Sequence, residues 1–472
     1  MPKLLDVFYL LLLVVVSPWL AYKAIRTGKY RVGLWRKFWG LTPIRTGSRP
    51  CVWFHAVSVG EVLLLRPILA GFRRRWPDWE IVLSTTTNTG FEVARKTFPD
   101  LCVFYWPLDF SWAVRRALRR IRPSLVVLAE LELWPNFIRL VGSEVPVVVV
   151  NGRMSPRSYR GYRRIRPLIA DVFRRLCLVA VQTEEYAQRM RSLGVPPERV
   201  HVTGSVKFDG VNVGRDHPRT RELARLLALR QHPEQSELVW LVGSTQAPEE
   251  QIALDIYRRA VERFPQLRLI LVPRHAERFD EVAALVEQSG LPLLRRSHLT
   301  HPDSASGSRQ ASGIDSASGS REASGIDSAS GSRQASGANP IILLDTLGEL
   351  AAAWGLADVG FVGGSLSRRG GQNMIEPAAC GVAVTFGPHV WNFRDTVERL
   401  LENQAAIQVA DAAELEQVTL RLLGDEAERR RLGEAARRLV LSQQGATERT
   451  LDLLHRLLAS GEHKSPGEFQ AA

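Results

Sequence analysis

The sequence predicts an α/β protein made of two Rossmann-like domains facing each other across a cleft. Two observations predict it. The chain has 472 residues, too many for one hydrophobic core and enough for two. From Cys51 onward, short apolar or β-branched runs alternate with longer amphipathic stretches, the pattern of parallel sheets covered by helices on both faces.

The chain opens with an almost wholly apolar run, Leu4 to Tyr22, interrupted by Asp6, Ser17 and Pro18. At about 1.5 Å per residue, such a helix approaches the length that spans a bilayer. Only Lys3 precedes the run, whereas Lys23, Arg26, Lys29, Arg31, Arg36 and Lys37 follow it, with Trp35 and Trp39 among them. The positive-inside rule puts the rest of the chain in the cytoplasm. Residues 1–22 are therefore read as a single-pass membrane anchor helix and 23–50 as a basic juxtamembrane segment. A cleaved signal peptide is the alternative; the thin charge before the run and the lack of an A-x-A site disfavour it.

In the domain at 51–210, the expected strands are Cys51–Ala56, Glu80–Leu83, Cys102–Trp106, Leu125–Leu128, Val145–Val150, Cys177–Gln182 and Val200–Gly204. Val62–Trp76 and Phe110–Ile121 read as helices between them. Residues 211–236, polar and basic, read as a linker. The second domain, 237–460, repeats the style with strands at Leu238–Val242, Leu267–Val272, Ile341–Leu344, Asp358–Val362 and Val382–Thr385. Asp411 to about Ser460 is helical by pattern, and 461–472 is a tail. Residues 303–338 repeat a twelve-residue unit rich in Ser, Gly and Ala three times. So little apolar surface does not offset the entropy of ordering, and the repeat reads as a disordered surface-loop insertion.

A formal net charge of +13 points to an anionic partner. No RNP motif or zinc finger accompanies it, so a membrane surface is expected rather than nucleic acid. The four cysteines, Cys51, Cys102, Cys177 and Cys380, lie far apart. They form neither a disulfide framework nor a zinc spacing, which fits a reducing compartment. No G-x-S-x-G, Walker A or metal-ligand spacing is present, so no metal is expected.

Several stretches at predicted strand ends carry chemistry. His55-Ala56-Val57-Ser58-Val59-Gly60-Glu61 ends one strand and opens a helix, placing Glu61 where open sheets keep their ligands. Glu61 is either a general base for a hydroxyl or a favourable first-turn acid. Glu130-Leu131-Glu132-Leu133-Trp134-Pro135-Asn136 holds two acids in an apolar setting, which calls for a cation or donors nearby. Gly204-Ser205-Val206-Lys207-Phe208-Asp209 offers Lys207 to a phosphate, or as a plain surface lysine. Ser84 to Gly90 is a run of hydroxyls suited to a sugar or to helix capping. Pro273-Arg274-His275 offers Arg274 to a phosphate or carboxylate. Residues 362–377, VGGSLSRRGGQNMIEP, read as strand, glycine loop and helix start. Free backbone N–H groups there would favour an anionic or sugar ligand, with Glu376 accepting from hydroxyls.

Together these motifs resemble the 3-deoxy-D-manno-octulosonic acid (Kdo) transferases of Gram-negative lipopolysaccharide synthesis, from the N-terminal run to about Val409. Ser58–Glu61 resembles the family's catalytic loop, Glu130–Asn136 its E-T-E-L-W-P-N motif and Gly204–Asp209 its G-S-x-K-F-D. The resemblance implies a GT-B glycosyltransferase of the inner membrane that moves Kdo from CMP-Kdo to a lipid A precursor (lipid IVA), without metal or further cofactor. It implies that Glu61 is the base and that Glu130 and Lys207 stabilise the transition state. It places the donor on Pro273, Arg274, Gly348, Glu349, Leu350, Asn373, Met374, Ile375 and Glu376. Three features depart from the family: Gln372 where histidine is usual, Met374 where proline is usual, and Gln246-Ala247-Pro248 within S-T-H-x-G-E-E. They flank the donor motifs. A catalytically idle module binding nucleotide or anionic lipid, and a GT-B enzyme using a UDP-sugar, are the alternatives. Oligomeric state is not legible.

Overall fold

The computed structural model describes residues 2–27, 33–142, 145–211, 213–229, 237–299 and 339–459. The chain divides into two compact units, Met1–Gly210 with Gln443–Ala472, and Val211–Ser442.

The first unit carries β1 (Cys51–Ala56), β2 (Glu80–Thr85), β3 (Cys102–Tyr105), β4 (Leu125–Ala129), β5 (Val147–Gly152), β6 (Leu178–Val181) and β7 (Val200–Val202). They form one sheet in the order β3-β2-β1-β4-β5-β6-β7, and every pair is parallel. Its helices are α1 (Pro2–Thr27), α2 (Leu34–Trp39), α3 (Val59–Arg75), α4 (Asn88–Thr97), α5 (Ser111–Ile121), α6 (Pro135–Val141), α7 (Pro156–Arg164), α8 (Arg166–Arg174) and α9 (Glu184–Leu193). Alternate residues of each strand enter opposite cores. Val52 and Phe54 pack with Leu65, Ile68 and Phe72 of α3. Trp53 packs on the other face with Phe104, Trp106 and Phe137. Strands buried on both faces are why these segments read as nearly continuous apolar runs. The strand order reverses between β1 and β4, the switch point where such sheets bind ligands. The turns leaving these two strands lead to Glu61, in the first turn of α3, and to Glu130.

The second unit carries β8 (Leu238–Thr245), β9 (Leu267–Pro273), β10 (Leu293–Arg295), β11 (Ile341–Leu343), β12 (Val359–Val362), β13 (Ala383–Phe386) and β14 (Ala406–Gln408). Their order is β10-β11-β9-β8-β12-β13-β14, again wholly parallel. Here the reversal lies between β8 and β12. Two Rossmann-like units in one chain are the GT-B class expected from sequence. The edge strands β10 and β14 escaped that reading: both are only partly buried, so neither carries a run of buried apolar residues.

Two expectations change. The segment 211–236 is more than a linker: Pro218–Leu226 is a helix of the second unit, and Thr220 donates to the Ala352 carbonyl at 3.0 Å. The helix Ala446–Ala459, read as part of the second domain, belongs to the first unit. Leu451 and Leu454 are fully buried, and Leu451 packs so closely on Gly71 of α3 that an added Cβ would lie 2.3 Å from it. An amphipathic pattern shows that a helix covers a core, not which core. At the chain start, α1 covers the predicted anchor and runs beyond it to Thr27; among the described residues no helix is long and apolar enough to cross a membrane. The repeat 303–338 and the tail 461–472 lie outside the described residues.

Candidate active site

In the first unit, Glu61 sits in the first turn of α3. Its carboxylate accepts from the Val57 N–H at 2.7 Å and from the Ser58 hydroxyl at 2.9 Å. These bonds fix its orientation. Burial is the largest influence and raises its pKa above the usual carboxylate range, the Glu130 charge adding to this. The two hydrogen bonds and the Lys207 ammonium pull the other way.

Glu130 follows β4 in a left-handed backbone conformation, φ 57°, which costs a non-glycine residue about 1 kcal/mol. Asn151, at the end of β5, adopts φ 54° and Ser244, at the end of β8, φ 56°. Strained residues at strand ends of this kind gather at functional sites. Glu132 is pushed up to about 7, by burial first and then by the Glu61 charge. The first unit thus holds three acids whose charges interact, and Lys207 nearby. Lys207 lies in the 3₁₀ turn Val206–Phe208. That turn is tied to β5 by the Val206 N–H donating to Asn151 Oδ1 at 3.0 Å. Asp209 accepts from the N–H of Gly445 at 2.7 Å and also from that of Thr447, pinning the C-terminal helix.

Two other motif residues are structural. His55 is fully buried and stacked on Trp106, ring centroids 3.9 Å apart; burial lowers its pKa to about 3, so it stays neutral. In the hydroxyl run, Thr87 caps α4 by accepting from the Gly90 N–H at 3.1 Å.

In the second unit, the helix Ile375–Ala379 starts where the motif predicts. Asn373 accepts from the Ile375 N–H at 3.0 Å and donates to Glu376 at 3.1 Å. Burial raises the Glu376 pKa, while the Asn373 hydrogen bond and the Arg274 charge lower it. Arg274 is exposed just beyond β9. Pro273, Met374 and Ile375 are buried, so their side chains serve the core. Gly348 adopts φ 89° and lines a cavity of about 320 Å³ with His217, Arg219 and Thr220. Glu349 is held by Arg296 at 2.8 Å and by Thr346, and Leu350 opens the short helix Leu350–Ala353.

The glycine loop departs from expectation. Its N–H groups are not free: Glu249, almost fully buried, accepts from Gly364 at 2.7 Å, Ser365 at 3.0 Å, Leu366 at 3.1 Å and Ser367 at 3.4 Å. It also accepts from Gln246 at 2.9 Å. The loop is therefore built around an internal carboxyl group, whose pKa burial raises while the loop N–H groups lower it. Gly370 does require glycine: at φ 89° an added Cβ would sit 2.5 Å from Trp391 Nε1 and Asn392 Nδ2.

A family model described as 3-Deoxy-D-manno-octulosonic-acid transferase (kdotransferase) matches residues 29–210. The 3-deoxy-D-manno-octulosonic acid transferase of Haemophilus influenzae is 30% identical over 454 residues, 95% of this chain and 97% of that protein. This chain belongs to the Kdo transferase family. The Kdo transferase of Bordetella pertussis is 31% identical over 457 residues, 92% of this chain and 94% of its own length. A crystal structure of the C-terminal CMP-Kdo binding domain of WaaA from Acinetobacter baumannii is 26% identical, covers 47% of this chain and 97% of its own, and has a TM-score of 0.36. The chain is an enzyme, a Kdo-transferring glycosyltransferase.

Within this Kdo transferase, sequence reasoning missed Glu132, Asn151 and Glu249 as contributors. Glu132 lay inside a quoted motif and Glu249 in Ser244–Glu250, but no local pattern says which acid of a pair turns inward. The signal for Asn151 was an Asn-Gly pair ending a buried valine run, a place where left-handed backbone is expected.

Proposed function

We propose that the enzyme transfers Kdo from CMP-Kdo to a sugar hydroxyl of a lipid A precursor, lipid IVA, at the cytoplasmic face of the inner membrane. The first unit takes the acceptor and the second the donor. The observation that carries the chemistry is Glu61, oriented by Val57 and Ser58 and raised in basicity by burial and by Glu130. Glu61 takes the proton of the attacking hydroxyl as the acceptor oxygen bonds to the anomeric carbon of Kdo. The bond from that carbon to the phosphate oxygen breaks, and CMP leaves with the electron pair. Lys207 offsets negative charge near the base, and Glu130 and Glu132 shape the field around it. Arg274, beside Glu376 in charge, suits the donor's phosphate or carboxylate. The reading calls for no resident metal or cofactor: Lys207 in the first unit and Arg274 in the second each offer a cation to the anionic groups of the ligand assigned to that unit. The exposed apolar residues of α1, among them Leu11, Val14 and Val15, suit attachment to the bilayer.

The test incubates the full chain with lipid IVA and CMP-Kdo generated in situ and weighs the lipid by mass spectrometry. A gain of one or more Kdo units is expected, and its size counts the additions. No gain with CMP binding intact overturns the reading and favours an idle nucleotide-binding module or another donor. Glu61→Gln is expected to lower transfer by about 10²–10⁴-fold while CMP binding and melting temperature hold. Near-normal turnover would remove Glu61 as the base.

A further inference from the structure

A buried polar cluster in the first unit lies outside the chemistry just described. Asp6 in α1 is 6% exposed, Asp109 5% and Asn136 not at all. Asp6 accepts from the Ser111 N–H at 2.8 Å, from the Ser111 hydroxyl, and from Asn136 Nδ2 at 3.0 Å. Asp109 accepts from the Asn136 N–H at 2.9 Å, the Phe137 N–H at 2.7 Å and the Tyr9 hydroxyl at 3.0 Å. Asn136 Nδ2 also donates to the Asp109 carbonyl at 2.7 Å.

The local sequence explains why distant acids are needed. The N-caps of α5 and α6 are Phe110 and Trp134, neither of which makes a side-chain cap. Their first-turn N–H groups would be orphaned on burial. Asp6 serves α5 and Asp109 serves α6, so the start of each helix depends on this cluster. Around the polar centre, Tyr9 meets Phe110 edge-on at 6.0 Å, and Phe38 of α2 meets Phe110 at 5.1 Å. α6 begins directly after the Glu130–Trp134 loop. One end of that loop hangs from the Ala129 end of β4 and the other from Asn136, which Asp6 and Asp109 hold. From residue 10 to residue 19, α1 is largely exposed and apolar, with Leu11 63%, Val14 69% and Val15 76% exposed, and exposed Arg26 lies in its last turn.

We propose that Asp6, Tyr9, Asp109 and Asn136 form a joint between the membrane-seeking helix α1 and the loop carrying Glu130 and Glu132, with Asp6 a positioning residue for transfer to an acceptor held in a lipid bilayer. This rests on the reading of the enzyme as acting on a lipid. A charged residue inside an otherwise apolar run is costly in lipid, and here its carboxylate is docked on the protein instead. The joint holds the first turns of α1 on the folded unit, so the depth at which the exposed turns enter the bilayer sets the height of the acid loop above it.

The test compares the full chain with Asp6→Ala, Asp6→Asn and Tyr9→Phe. Amide hydrogen exchange is followed in peptides covering 111–121 and 130–141. Transfer is measured with lipid IVA in phosphatidylethanolamine–phosphatidylglycerol vesicles and CMP-Kdo, and CMP binding by calorimetry. In Asp6→Ala, exchange is expected to rise in both peptides, kcat to fall about tenfold or more, and KM for CMP-Kdo and CMP affinity to stay unchanged. Asp6→Asn, which keeps an acceptor oxygen, is expected to restore most of the rate, and Tyr9→Phe to shift exchange at 130–141 alone. Unchanged exchange in Asp6→Ala overturns the joint. Raised exchange with wild-type kcat overturns the positioning role, as does a rate loss matched by an equal loss of CMP binding. Should the wild-type chain transfer no Kdo, the functional reading fails while the exchange arm still decides the joint.

Discussion

Glu132 and Glu61 share one local field and are separated by what surrounds them. Both are raised by burial, and Glu132 reaches about 7 from an ordinary 4.5. Between those two pH values the folded chain holds a proton on Glu132 that the unfolded chain has lost. The contribution is therefore fully present below the ordinary value and is lost as pH rises through about 7. Melting temperature is expected to drop between pH 5 and pH 8, and Glu132→Gln to remove part of that drop; an equal drop in both proteins would contradict the assignment. With Glu61 as the proposed base, which acts ionised, kcat/KM is expected to rise with pH along a limb shifted upward from the ordinary carboxylate range. Lys207 lowers the Glu61 pKa, so Lys207→Met is expected to move that limb to higher pH as well as lowering kcat. A limb that does not move would leave Lys207 without electrostatic contact with the base.

At the scale of elements, strand ends and helix starts do the positioning. Glu61 is placed by the β1–α3 turn, Glu130 by the exit of β4 and Lys207 by a turn held by Asn151. In the second unit Glu249, in the first turn of the helix Glu249–Arg263, draws in the N–H groups of the loop after β12. Replacing it with alanine strands these buried donors. Glu249→Ala is expected to destabilise the second unit by about 3 kcal/mol or more and to weaken CMP-Kdo binding, read by urea unfolding and calorimetry. Glu249→Gln, which keeps an acceptor oxygen, is expected to lose less. Equal stability of Glu249→Ala and wild type would show that the loop does not depend on this carboxylate. The glycine loop was legible as strand, glycine turn and helix start because these are local in sequence. Its internal carboxylate was not, because Glu249 and Gly364 are brought together only by the pairing of β8 with β12.

For the whole molecule, the two sheets have the same design, each with its first strand central and a reversal beside it. The first unit runs to Gly210 and takes back Ala446–Ala459 from the far end of the chain. Residues 303–338 join elements on either side that are both part of the second unit's sheet, β10 ending at Arg295 and β11 beginning at Ile341. Loop length costs little in stability, and the repeat offers almost nothing apolar to bury. Deleting 303–338 is expected to leave kcat and melting temperature nearly unchanged; a large loss of either would give the repeat a structural or functional part. The sequence alone determined what depends on neighbours along the chain: the alternation of buried strands with amphipathic helices, and the motif residues at strand ends. Tertiary structure alone decided what depends on neighbours in space. It gave Glu249 its ring of amides, Glu132 its retained proton and Asp6 its place on the folded unit, because each arises from groups that meet only when the chain folds.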